Sequence, residues 1–281
     1  MLSSLATWSR MIKLSHSIFS MPFALAAALL AWRTVPFRWV DLGLIVGAVV
    51  TARASAMGFN RLADARFDAK NPRTSDREIP SGAISQAAAW AFTGIAAALF
   101  VAQSAALSPL AGSLSPVALA VVWGYSLTKR FTALCHIFLG AALALAPTGV
   151  WIALTGGWGV VPAMLSLAVG TWVAGFDIIY SCQDAAFDRE HHLRSIPAAL
   201  GIRGALVVSA GLHLVTVASL AALPWVVALG WPWWIGVAAM STVLCWEHAI
   251  VTPGDLSRVD KAFFDLNGYV SLLFLAFVAI S

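Results

Sequence analysis

Charge is the scarcest commodity in this chain. Asp, Glu, Lys and Arg together make up 11% of 281 residues, with 13 acids against 17 bases. Soluble domains carry nearer about a quarter charged residues, so the composition excludes an ordinary water-soluble globule. Cysteine is also rare: Cys135, Cys182 and Cys245 have no paired spacing, which excludes a disulfide framework and leaves them as small apolar residues. Long polar stretches are missing too, so no soluble second domain is expected and residues 1–281 read as one membrane domain. The opening MLSSLATWSRMIKLSHSIFS leads into an apolar run followed by others, so a cleaved signal peptide is not expected.

What is present is grease. Residues of the AVILMFWYC group make up 60% of the chain, and mean hydropathy is +0.84. Apolar runs of roughly bilayer-spanning length, about 20 residues or somewhat fewer, lie near 16–32, 40–59, 86–107, 134–153, 159–180, 205–226 and 229–246. Weaker runs lie near 116–128 and 267–281, the first completed by the uncharged SPLAGSLS before it. The expectation is an all-α polytopic membrane protein with nine transmembrane helices around a central cavity.

Basic residues test that count, because short cytoplasmic loops collect them. With the N-terminus inside and nine spans, 14 of the 17 Lys and Arg fall inside; Arg33 and Arg38 fall outside and Arg53 within a span. The excess of bases therefore sets orientation and indicates no nucleic-acid surface, and the expected location is an integral membrane one, the bacterial inner membrane, with the N-terminus cytoplasmic. Trp32, Trp39 and Trp151 near span ends suit an aromatic belt.

Against this background one acidic pentapeptide occurs nearly twice, as DARFD at Asp64–Asp68 and DAAFD at Asp184–Asp188. If the second span continues past Phe59, Asn60, Asp64 and Asp68 are spaced i, i+4, i+8 along one side of a helix end. In the second segment Asp184 and Asp188 are four apart, with Asp177 seven before Asp184, two turns earlier on the same face. Carboxylates stacked this way repel unless a cation lies between them. Oxygen ligands in this number suit a hard divalent ion, and Mg²⁺ usually binds through a few carboxylates plus phosphate oxygens. Arg73, Arg77 and Lys129 fall on the same side and supply donors to phosphate. A ligand bearing phosphate makes both signs useful at once. The two stripes are expected to approach one another on the cytoplasmic side.

Other classes compete for these residues. Solvated interfacial loops would pair their Asp and Arg among themselves, but the recurrence of the pentapeptide, the loose echo of Arg77–Pro80 in Arg194–Pro197, and the depth of Asp177 weigh against that reading. A transporter keeps charges at the midplane or on both sides, whereas here only Asp41 is acidic on the far side. A magnesium-dependent lipid phosphotransferase would carry one compact aspartate signature, not two. His16, His191, His192 and His248 show no metal-ligand spacing, and Glu247 at a span end is a lesser functional candidate.

NRLADARFDAKNPRT, DREIPSG, YSLTKRFT at Tyr125–Thr132 and DIIYSCQDAAFD together resemble the UbiA superfamily of intramembrane aromatic prenyltransferases, in its 4-hydroxybenzoate polyprenyltransferase-like branch. The resemblance covers nearly the whole chain, including KLSHSIFSMPFALAAALLAW. It implies nine helices and two Asp-rich motifs, Asn60, Asp64, Asp68 and Asp177, Asp184, Asp188, that bind Mg²⁺ and an isoprenyl diphosphate. Arg73, Arg77 and Lys129 match diphosphate-contacting positions, and Tyr125 a pocket tyrosine. One departure is Asn60-Arg61, where many members read Asn-Asp; it bears on substrate subclass.

The implied activity is transfer of a polyprenyl group to the ring of 4-hydroxybenzoate in quinone biosynthesis, with prenylation of 1,4-dihydroxy-6-naphthoate, in futalosine-type menaquinone synthesis, as the alternative acceptor. Asp64, Asp184, Lys129 and Tyr125 are the expected catalytic residues. Arg10 and Lys13, just before the first span, are candidates for the acceptor's carboxylate. The expected partners are the polyprenyl diphosphate, the aromatic acid and the lipid bilayer, with no nucleic acid and no required protein partner.

Overall fold

The computed structural model describes residues 2–12 and 20–281, with side chains from residue 7 on; Lys13 and His16 lie outside the described residues. Among the described residues the elements are helices α1 (Leu2–Met11), α2 (Met21–Ala31), α3 (Trp39–Asp68), α4 (Gln86–Leu107), α5 (Pro109–Thr128), α6 (Cys135–Thr155), α7 (Val160–Ser181), α8 (Ala185–Glu190), α9 (Ile196–Ala222), α10 (Trp231–Ile250), α11 (Val259–Lys261) and α12 (Asn267–Ile280), with no β-strand. The protein is thus an all-α membrane protein. Seven helical stretches among the described residues are long and apolar enough to cross a bilayer: Trp39–Asp68, Gln86–Leu107, Pro109–Thr128, Cys135–Thr155, Val160–Glu190, Ile196–Trp225 and Val259–Ile280.

These seven are not the seven strongest runs of the sequence. Both weak runs qualify. SPLAGSLS is helical, because Ser108 caps the Ala111 amide at 3.1 Å and Pro109 opens the helix where no amide donor is needed. The last helix starts at Val259 rather than at Asn267, through a wide π turn at Ala262–Leu266. The amide of Asn267 donates to the Ala262 carbonyl at 3.0 Å, satisfying an oxygen at that turn. Conversely, α2 is described over only 11 residues, and α10 is diluted by Trp231, Trp233, Trp234, Trp246, Glu247 and His248.

The chain divides into two compact units, Met1–Ser17 with Trp39–Leu127 and Ile18–Arg38 with Thr128–Ser281. In the first, α3 packs along α4. Ser55 ties three helices: its hydroxyl donates to the Thr93 carbonyl at 3.2 Å and accepts the Trp123 indole N–H at 3.0 Å. Beneath the end of α3, Met11, Ala65, Ile79, Ile84 and Ala89 form a small core.

In the second unit α7 is the most enclosed helix, flanked by α6 and α9. Gly140 of α6 lies so close to the Gly170 carbonyl of α7 that an added Cβ would collide with backbone. Phe23, Trp172, Phe274 and Trp233 form an aromatic core, with centroid separations of 4.6–5.9 Å along Phe23–Phe274, Phe23–Trp172 and Trp233–Phe274. α9 is broken at Gly201, whose φ of 71° and ψ of 171° are a conformation reserved for glycine. One turn precedes the break and a long apolar rod follows it.

Candidate active site: two acidic helix ends and their cations

The first acidic segment is the end of α3, which runs unbroken to Asp68, so Asn60, Asp64 and Asp68 share one helix at the expected spacing. The Asn60 amide donates to Asp64 Oδ2 at 3.1 Å and to Ser126 Oγ at 3.3 Å. That commits its nitrogen and leaves Oδ1 as the acceptor side. Asp64 is half-buried, while Asp68 is buried and held by one nitrogen of Arg77, 2.7 and 2.8 Å from its two oxygens. The Thr74 hydroxyl fixes the same turn through the Asp68 carbonyl at 3.2 Å. Arg73 is exposed in the turn that follows, its amide donating to Asn71 Oδ1 at 3.0 Å.

Arg61, the departure from the family pattern, is buried and donates to the Met11 carbonyl at 3.3 Å. It closes the C-terminal end of α1, where the helix dipole favours a cation. Arg61 is therefore committed to holding α1. Arg10, the candidate for an acceptor carboxylate, is mostly exposed and lies 3.9 Å from Glu78. Tyr125 is half-buried near the end of α5, and Arg53, two turns before Asn60, is within its electrostatic reach.

The second acidic segment is built differently. α7 ends at Ser181, a 3-10 turn covers Cys182–Asp184, and α8 begins at Ala185. Asp177, Asp184 and Asp188 therefore do not form one continuous helical stripe; the tighter turn interrupts the face on which α-helical spacing would place them. Asp184 is half-buried. Asp188 is wholly buried: Ser195 donates to Oδ2 at 2.7 Å, and the Lys129 ammonium sits 2.7 Å from Oδ1, an ion pair rather than a well-directed hydrogen bond.

Lys129 does not share a helix with Tyr125, because α5 stops at Thr128 and Lys129 lies in the turn beyond it. Its carbonyl accepts the Arg194 amide at 2.7 Å, and the Arg194 guanidinium donates to the Phe131 carbonyl at 2.8 Å. Arg194 thus binds its turn, unlike Arg77 in the echoing segment. Burial opposes the Lys129 charge, but the negative charges of Asp188, in direct contact, and of Asp184 outweigh it, and its pKa lies above the ordinary lysine value.

Asp177 is part-exposed and paired with a residue that spacing did not single out: Nδ1 of His136 lies 2.6 Å from Oδ2 of Asp177. The available signal was a lone histidine at the head of an apolar run. His191, His213 and His248 have structural places. His191 Nδ1 donates to the Phe187 carbonyl at 3.1 Å, and His248 meets His213 at 3.0 Å. Glu247 is buried and accepts from Asn267 at 2.9 Å, in a polar knot with Trp172.

Each acidic segment thus carries an oxygen-rich, part-exposed face, with its last aspartate neutralised by a cation. In neither unit do three acidic, His or Cys side chains gather into a cage among the described residues. Part-exposed carboxylate and amide oxygens such as those of Asn60, Asp64 and Asp184 are donors that suit Mg²⁺, which keeps water and takes phosphate oxygens. Residues 20–278 match the UbiA prenyltransferase family. The chain belongs to that family.

It is accordingly a prenyltransferase by family. A UbiA homologue from Aeropyrum pernix K1, solved in its apo form, is 37% identical, with a TM-score of 0.86 over 94% of this chain and 97% of its own. A UbiA homologue from Archaeoglobus fulgidus bound to GPP and Mg²⁺ shares the fold at 20% identity, with a TM-score of 0.78 and 98% of both chains covered. A 4-hydroxybenzoate octaprenyltransferase of Citrobacter koseri is 26% identical over 276 residues, 95% of this UbiA-family chain and 94% of the relative.

Proposed function

We propose that this protein transfers a polyprenyl group from polyprenyl diphosphate to the ring of 4-hydroxybenzoate, with Mg²⁺ as cofactor, in quinone biosynthesis. The observation that carries the reading is the pair of acidic segments, each ending in an aspartate locked to a cation, Asp68 to Arg77 and Asp188 to Lys129. Relatives named 4-hydroxybenzoate octaprenyltransferase support the acceptor, and the Archaeoglobus structure bound to GPP and Mg²⁺ supports the donor and metal. The same reading assigns nine crossings, adding α2 and α10 to the seven above, and a cytoplasmic N-terminus.

Asn60, Asp64 and Asp68, with Asp177, Asp184 and Asp188, are the residues that would hold Mg²⁺, Asp64 and Asp184 being the most direct. Bound there, the ion would neutralise charge that develops on the diphosphate as its bond to C1 breaks. Arg73, Arg77 and Lys129 do the same from the protein side. Lys129 is held charged by Asp188, so it acts as a fixed donor to phosphate oxygen without reorganising. Tyr125 borders the prenyl group. A membrane-embedded site excludes the water that would capture an allylic cation. The acceptor ring forms the new bond to C1, the C1–O pair leaves with diphosphate, and the ring proton at the attacked carbon passes to the departing diphosphate. Arg10, together with Lys13, is assigned to the acceptor carboxylate.

Purified protein should be assayed with Mg²⁺, geranyl and longer prenyl diphosphates, and 4-hydroxybenzoate, 1,4-dihydroxy-6-naphthoate or 1,4-dihydroxy-2-naphthoate, with products identified by mass. Prenylated 4-hydroxybenzoate and released diphosphate are expected. Product from 1,4-dihydroxy-6-naphthoate alone moves the protein to the other quinone pathway, and no product from any acceptor overturns the reading. Neutralising Arg10 should raise the acceptor KM more than the prenyl diphosphate KM, and Arg77→Ala the reverse.

A further inference from the structure

Nothing in the acidic motifs demands a histidine, yet His136 is 2% exposed and bonded on both ring nitrogens. Nδ1 lies 2.6 Å from Asp177 Oδ2. The Ile196 backbone N–H points at Nε2 from 3.4 Å, and Ser181 Oγ lies 3.5 Å from the same nitrogen. A backbone N–H is a donor in every protonation state, so Nε2 is an acceptor. Nδ1 therefore carries a proton and donates it to the carboxylate. The Ser181 hydroxyl has its own acceptor in the Ile178 carbonyl at 2.9 Å and need not compete.

We propose that His136 is a positioning residue for the second acidic motif. Its Nδ1–H pins Oδ2 of Asp177, so that Oδ1 is the oxygen presented to a divalent cation. Its Nε2 ties that orientation to the first residue of α9. The neighbouring Ser195, which caps α9 through the Ala198 amide at 3.3 Å, holds Asp188 at 2.7 Å. One buried imidazole thereby sets Asp177 relative to Asp188 across the 3-10 turn that breaks their helical register. Carboxylates that bind metals are commonly oriented by such outer hydrogen bonds, and losing one typically costs about 10–100-fold in metal affinity.

The proposal rests on the reading of Asp177 as a cation ligand, and the test separates the two. Mn²⁺ is titrated into purified protein and free ion is followed by electron paramagnetic resonance; the Mg²⁺ dependence of prenyl transfer is measured in parallel. His136→Leu, which fills the space but bonds to neither neighbour, should weaken ion binding by about 10–100-fold. His136→Gln, which offers both a donor and an acceptor, should stay within about threefold of the native protein. Native-like Mn²⁺ binding by the leucine variant, while Asp177→Asn loses it, overturns the role of His136 alone. Native-like binding by Asp177→Asn overturns the ligand reading beneath it. A glutamine variant as impaired as the leucine variant also overturns the proposal. If the leucine variant does not fold, the glutamine variant decides: retained affinity supports the orientation role and lost affinity refutes it.

Discussion

Asp64 and Asp184 stand at the same place in their pentapeptides as half-buried carboxylates, whereas Asp68 and Asp188 are buried against Arg77 and Lys129. The same substitution should therefore have different consequences along each motif. Asp64→Asn and Asp184→Asn should lower prenyl transfer by at least about 100-fold, because each would remove a carboxylate from the set proposed to hold the Mg²⁺ that neutralises the leaving diphosphate. Their thermal stability should change by no more than about 0.5 kcal/mol, as for other substitutions outside the core. Asp188→Asn should instead unfold more readily, by about 2–3 kcal/mol. That is below the ~3–5 kcal/mol of breaking a fully buried pair, because Lys129 still reaches water. Melting curves and initial rates on the same preparations check all three; equal loss of stability in Asp64→Asn would place it with the structural group.

Lys129 also sets a pH expectation. Its pKa is raised in the folded protein, since Asp188 outweighs the burial that opposes its charge. A cation raised in this way contributes stability fully below the ordinary lysine value, and that contribution is lost only as pH climbs through the folded one. Between pH 6 and about 10 the Lys129–Asp188 pair should add no slope to stability. A melting-temperature series in the native protein and in Lys129→Met, differing by a constant offset over that range, is the expected outcome.

At the scale of single elements, the spacing of Asn60, Asp64 and Asp68 was legible because α3 is continuous through all three. The spacing of Asp177, Asp184 and Asp188 was not. Counting residues gives positions around an axis only while the axis persists, and α7 ends between them. The early start of the final helix was hidden for another reason: Asp260, Lys261 and Asp265 look like a loop, and the buried Asn267 that completes the π turn shows only in three dimensions. Close crossings are equally invisible in a string of letters. Gly140 is one small residue among many in an apolar run, yet it faces the Gly170 carbonyl directly. Gly140→Ala should destabilise the protein by about 1–3 kcal/mol through overpacking, and Gly149→Ala, where a Cβ meets nothing within 4 Å, should not. Thermal denaturation in detergent compares the two.

For the molecule as a whole, composition alone revealed a polytopic helical membrane protein, and the doubled acidic motif pointed to a metal and a phosphate. Which cation guards which aspartate was beyond the sequence, because Lys129, Ser195 and Asp188 converge from different segments. Orientation is a property of the whole molecule and rests on the 14 of 17 basic residues assigned inside. Cys245 is exposed while Cys135 and Cys182 are buried, so a Cys245→Ser background is needed for labelling. In it, Ser75→Cys should react with an impermeant maleimide only after the cells are opened. Reaction in intact cells would place the acidic loops on the other face.

Gly201 separates one turn of α9, bracketed by Ser195 and the Ile196 amide, from the rod that follows. Membrane helices accommodate thicker or thinner bilayers by changing tilt. A glycine-only joint at this point would let the rod tilt without levering Asp188 out of the grip of Ser195, and would so insulate the chemistry from the lipid around it. Activity should be nearly flat across vesicles of increasing acyl-chain length, whereas Gly201→Ala, strained at this backbone conformation, should make it depend steeply on bilayer thickness.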